Sequence, residues 1–154
     1  MKIEDVVKSI IVMDDARKLV LNIMYTSNIV SDKFNEIMKP NDLSSEQYNV
    51  LRILRGQKGC PANMCLIQER MIAKNSNTTR LIDKLLFKSL VTREVCPDNR
   101  RKIEVQITQK GLDLLTQLDS SVTGNEQLFA SNLSSEEQKQ LNNLLEKYRT
   151  LNKY

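Results

Sequence analysis

Residues 74–84 read KNSNTTRLIDK. The amide of asparagine matches N6 and N7 of adenine, the arginine fork matches O6 and N7 of guanine, and serine or threonine hydroxyls suit either. Asn75, Ser76, Asn77, Thr79 and Arg80 therefore place base-reading chemistry within six consecutive positions. Lys74 and Lys84 flank them with charges suited to phosphate oxygens. Two plainer roles stand beside this one. Asn75 and Ser76 are good helix N-caps, and Asp83, three residues beyond Arg80, is placed to pair with it on a helix surface. A second cluster, PDNRRK at 97–102, holds Arg100, Arg101 and Lys102. Arginines on such a turn suit a narrow minor groove, whose negative potential attracts them. The plainer role is a solvated charged turn.

Other chemistry is limited by composition. The chain of 154 residues contains no histidine and no tryptophan. That removes Ser-His-Asp and Cys-His nucleophile systems, histidine-bearing zinc sites and imidazole pH switches. No carboxylate cluster suggests a metal, and no catalytic set or cofactor motif is present, so neither an enzyme nor a cofactor is expected. Cys60, Cys65 and Cys96 are odd in number and irregular in spacing. This is no disulfide framework, and a reducing, cytoplasmic setting is expected. The first residues carry acids where a signal peptide would be apolar. The longest charge-free run, Leu19 to Ser31, is thirteen residues. A membrane span needs about 18 or more, so no membrane partner is expected.

The net charge of +4 is unevenly spread. Residues 1–43 hold 6 basic and 7 acidic side chains, residues 44–111 hold 13 and 6, and residues 112–154 hold 4 and 6. A middle segment of net +7 between flanks of −1 and −2 is the footprint of a nucleic-acid-binding module between neutral or acidic helices.

The elements that must position these residues follow from periodicity. Residues 4–38 carry a helical pattern through Val20, Ile23, Met24, Val30, Phe34 and Met38, ended by Pro40. Such a helix is too long to bury its stripe on one small domain and calls for a partner helix. Ser44-x-x-Gln47 is a capping box, with Leu43 placed to staple against Tyr48. A short helix over Met64–Met71 turns Ile67 and Met71 inward. The next helix, over 75–90, has Thr78, Leu81, Ile82 and Leu85 as its buried stripe. The period then changes to two: Val91 and Val95, then Ile103, Val105 and Ile107, predict a β-hairpin with the basic tip between its strands. Thr108 caps a following helix, and Ser134-x-x-Glu137 is a second capping box opening a helix with Leu141, Leu144, Leu145, Tyr148 and Leu151 on one face. The expected fold is mainly α with one β-hairpin wing: a winged helix-turn-helix over 43–111, an N-terminal dimerisation helix over 1–42, and C-terminal dimerisation helices over 112–154.

Three blocks in this order resemble the MarR family of transcriptional regulators. LSSEQYNVLRIL (43–54) is similar to the helix opening the family's DNA-binding domain. NSNTTRLIDKLLFKSLVTRE (75–94) is similar to its recognition helix and first wing strand. DNRRKIEVQITQKG (98–111) is similar to its Asp-x-Arg wing and Thr-x-x-Gly helix start. Two positions depart from the pattern. Counting back from Thr108 puts the wing pair at Asn99 and Arg101, whereas Asp98 and Arg100 fit a tip one residue longer. Ser89 stands where the family usually has glycine after the recognition helix.

The resemblance implies a homodimer binding double-stranded DNA at a palindromic operator, most often as a repressor. It also implies release by a small effector, commonly an aromatic or anionic compound, bound between the dimerisation helices and the DNA-binding domain. Tyr25, Phe34 and Tyr48 are candidates to line such a site; all three are equally at home as core residues. Some relatives sense oxidants through a first-helix cysteine, but this chain has none before Cys60. The competing reading is a winged-helix adaptor that makes protein–protein contacts without specific DNA binding.

Overall fold

The computed structural model describes residues 1–95 and 103–150. The chain falls into two units, Met1–Leu115 and Thr116–Tyr154. Elements in order are α1 (Ile3–Val6), α2 (Asp15–Met38), a 3-10 turn (Lys39–Asn41), α3 (Ser45–Arg55), β1 (Ala62–Asn63), α4 (Met64–Arg70), α5 (Thr78–Phe87), β2 (Val91–Val95), β3 (Ile103–Ile107), α6 (Gln109–Ala130) and α7 (Ser135–Tyr148).

The helical pattern of residues 4–38 is interrupted. Only α1 and α2 are helical, with Lys8 at φ 48 between them. The run Ile10-Ile11-Val12 is β-branched and loses side-chain freedom in a helix. Asp14 then offers a better start, its carboxylate accepting from the Arg17 N–H at 2.8 Å. The 2.7 Å Glu4–Lys18 ion pair ties α1 to α2.

The core of the first unit is built by α3, α4, α5 and the sheet. Both bonds of the Ser44–Gln47 capping box form, at 3.2 and 3.0 Å. That start angle turns Tyr48, Val50, Leu51 and Leu54 inward. They meet Ile67 and Met71 of the α4 segment, Ile82 and Leu85 of α5, and Val105 of β3, each almost wholly buried. Burial of one such side chain contributes about 1.5–3 kcal/mol.

The sheet order is β1-β3-β2, all antiparallel. The hairpin forms in the expected strands, Val91 opposite Ile107 and Val95 opposite Ile103. Val91 and Val105 are buried, whereas Val95 and Ile103 are exposed, because the hairpin extends past the core. β1 has no counterpart in the sequence reading, since two residues are too short to show alternation. Three helices followed by this hairpin make a winged helix-turn-helix.

Ser89 adopts the left-handed region at φ 57. Its N–H donates to Leu86 O at 2.9 Å and the Leu90 N–H donates to Leu85 O at 3.0 Å, which is a Schellman ending to α5. A side chain in that region costs about 1 kcal/mol relative to glycine. Ser89→Gly is therefore expected to raise the unfolding free energy by about 1 kcal/mol, read as a higher urea midpoint at unchanged slope. An unchanged or lower midpoint would show that the serine is not strained there.

In the second unit the Ser134–Glu137 capping box also forms, at 3.3 and 2.8 Å. The Ser134 backbone N–H, then its hydroxyl, hold the Glu137 carboxyl below its ordinary value. The contribution of this cap is present above the ordinary value and is lost as pH falls through the lowered one. The Gln138 amide closes the α6–α7 turn by donating to Ala130 O and Leu133 O, both at 3.0 Å. Leu141, Leu144, Leu145 and Tyr148 of α7 are exposed. Among the described residues, no helix is long and apolar enough to cross a membrane.

Candidate nucleic-acid interface

The helix expected over 75–90 begins later. Asn77 is the N-cap of α5, its Oδ1 accepting from the Arg80 N–H at 3.0 Å. Asn75 and Ser76 thus lie in the turn before the helix and do not cap it. The cap commits the Asn77 oxygen and leaves its amide nitrogen as a donor. Ser76, Asn77 and Thr79 come together along one shallow cleft, whose other wall is Met64, Cys65, Gln68 and Glu69 of α4.

Arg80 is exposed on the same first turn. Asp83 does not pair with it. The carboxylate instead meets Arg93 of β2 at 2.7 Å, tying α5 to the wing. Among the described residues the Arg80 guanidinium makes no ion pair, so it stands ready for an external acceptor. Lys74 is folded back: its ammonium donates to Glu69 O, and its carbonyl accepts from Gln68 Nε2 at 2.7 Å. Lys84 is exposed one turn beyond Arg80, in a different hollow shared with Asp42, Ser44, Phe87 and Lys88. Arg100, Arg101 and Lys102 lie outside the described residues.

Thr108 joins the wing to α6. Its hydroxyl oxygen accepts from the Gly111 N–H at 3.1 Å and donates to Ser89 O at 2.9 Å. One side chain therefore starts α6 and holds the end of α5.

The three aromatic candidates separate. Phe34 and Tyr48 pack edge to face, with ring centres 5.2 Å apart at 68°. The Tyr48 hydroxyl accepts from the Arg52 guanidinium at 3.0 Å, and Arg52 lies 5.8 Å from the ring centre. Tyr25 is nine residues before Phe34 on α2. At 3.6 residues per turn that is the opposite face, roughly 13 Å along the axis.

Several residues that shape this surface carry no sequence signal. Arg93 reads as an ordinary strand residue, yet it holds Asp83. Asn49 on α3 accepts from the Ile72 N–H at 3.0 Å, and Gln68 accepts from the Thr78 hydroxyl. These partners are 23 and 10 positions away, beyond any local pattern.

A helix-turn-helix whose second helix starts with Asn77, Thr79 and Arg80 exposed, and a strand pair behind it, is the architecture of a winged-helix DNA-binding domain. The MarR family pattern matches residues 43–103. A MarR transcription factor from Planctomyces limnophilus is 31% identical, with a TM-score of 0.69 over 88% of this chain and 98% of that one. The chain belongs to the MarR family of transcriptional regulators. It is also similar to the HTH-type transcriptional regulator MhqR of Bacillus subtilis (strain 168), 29% identical over 100 residues, 65% of this chain and 66% of that protein. A mutant MarR from E. coli, solved with operator DNA, shares the fold at 24% identity and a TM-score of 0.77, covering 86% of this chain and 94% of that one.

Proposed function

We propose that the chain is a homodimeric repressor that reads a palindromic DNA operator through the first turn of α5 and the wing, and that a small effector releases it. The observation carrying this reading is the exposed Arg80 guanidinium, without an ion pair among the described residues, beside Asn77 and Thr79 at the start of α5. Asn75, Ser76, Asn77, Thr79 and Arg80 face base edges; Lys74 and Lys84 meet phosphates, Lys74 after leaving its carbonyl partner. Arg100 or Arg101 enters the minor groove, with Lys102 alongside.

Dimerisation through the regions 1–42 and 112–154 is supported by apolar side chains left in solvent. Leu19, Val20, Met24 and Val30 of α2 are exposed, as are Leu141, Leu144 and Tyr148 of α7. A second copy would cover them, and two modules then meet half-sites about one helical turn apart. The effector is a small aromatic or anionic compound at Phe34 and Tyr48; Tyr25, on the opposite face of α2, lies outside that site.

The test is enrichment of duplexes from a random pool by the full chain, followed by affinity against a scrambled control across a salt series. A regulator binds the enriched duplex at least about 10³-fold tighter, with a steep negative salt slope. Equal, weak binding to both duplexes would leave the adaptor reading in its place. Arg80→Ala is expected to cost about 1–3 kcal/mol of specific binding. Wild-type affinity in that variant removes Arg80 from the site.

A further inference from the structure

The turn joining α4 to α5, residues 71–77, contains neither glycine nor proline. One backbone bond, from the Ser76 N–H to Ala73 O at 3.1 Å, closes the turn on itself; side chains tie it to the neighbouring helices. Gln68 on α4 is the central one. Its Oε1 accepts from the Thr78 hydroxyl, and its Nε2 donates to Lys74 O at 2.7 Å. It therefore grips both the middle of the turn and the first residue of α5. Thr78 is a buried polar residue with 5% exposure, so its hydroxyl depends on this partner. The start of the turn is held separately, by Asn49 on α3 through the Ile72 N–H at 3.0 Å.

We propose that Gln68 is a positioning residue for base reading. It sets the height and rotation of the first turn of α5 against α4, and with them the points from which Asn77 and Arg80 reach base edges. The inference rests on α5 being the DNA-reading helix, as proposed above. Base contacts need fixed geometry, whereas flexible lysines follow phosphates through small shifts. Loss of Gln68 thus weakens discrimination more than it weakens general affinity.

The experiment uses the full chain, the duplex enriched by the wild type, and a scrambled duplex of equal composition. Gln68→Ala is expected to weaken binding to the enriched duplex about tenfold, the scale of losing two hydrogen bonds that hold one turn. Binding to the scrambled duplex stays within about twofold and the salt slope is unchanged, since no phosphate contact is lost. Thr78→Val, which removes the hydroxyl and keeps the shape, shifts the same ratio in the same direction and carries the comparison if Gln68→Ala fails to fold. The double variant is no worse than Gln68→Ala alone, because the two residues share one interaction. A merely structural role lowers the unfolding midpoint and leaves the ratio at its wild-type value. That ratio, or equal losses on both duplexes, overturns the proposal. Equal affinity of the wild type for both duplexes sinks the DNA-reading proposal and this one with it.

Discussion

Ile82→Ala is expected to lower the unfolding free energy by about 2–5 kcal/mol. Ile82 has no exposed surface, and α5 packs through this face on α3 and β2. Truncation removes three methyl or methylene groups where Val50, Leu51, Leu54 and Leu85 are already close-packed, so little collapse is available. The measurement is urea unfolding, with the midpoint falling at unchanged slope. The consequence for function is indirect. The variant that remains folded carries Arg80 and Asn77 on a helix whose anchoring face has a hole. A loss below about 1 kcal/mol, the size of an ordinary substitution, would mean that this face of α5 is not seated in the core.

Gly111→Ala is expected to destabilise by about 1–3 kcal/mol, although alanine is the better helix former. A Cβ at this position would stand 2.5 Å from Leu90 O and 2.7 Å from Ile107 Cγ1. The oxygen cannot retreat freely, because it accepts from the Thr108 N–H at 3.1 Å. The start of α6 must lift away from the roots of both wing strands, or that bond must break. Gly124 lies in the same helix and supplies the control: a Cβ there meets nothing within 4 Å. Gly124→Ala is therefore expected to gain about 0.5–1 kcal/mol. If both variants are stabilised in parallel urea titrations, Gly111 is not in a close approach.

The glycine illustrates how far local patterns reach. Its place three residues after Thr108 was legible as a helix start. Its real constraint, the carbonyl of Leu90, lies 21 positions back and is visible only in the fold. The hairpin was legible because alternation survives over five residues in each strand; β1, with two, was not. The capping boxes at Ser44 and Ser134 were legible because the motif is complete within four residues. The candidate interface was legible in its residue types. Its arrangement was not: the cap falls on Asn77, Asp83 turns to Arg93, and Lys74 turns back to Glu69.

The sequence by itself determined the starts of α3 and α7, the two wing strands, which faces are apolar, and that positive charge gathers between residues 44 and 111. Those properties depend on dihedral preference and spacing along one element. Only the tertiary structure decided that residues 7–14 interrupt the first helical pattern, that Asp83 pairs with Arg93 and not with Arg80, and that Gln68 and Asn49 hold the turn before α5. The physical reason is range. A hydrogen bond or ion pair acts over about 3–4 Å, and which groups come that close is set by the packing of separate elements, after local propensity has made its choices.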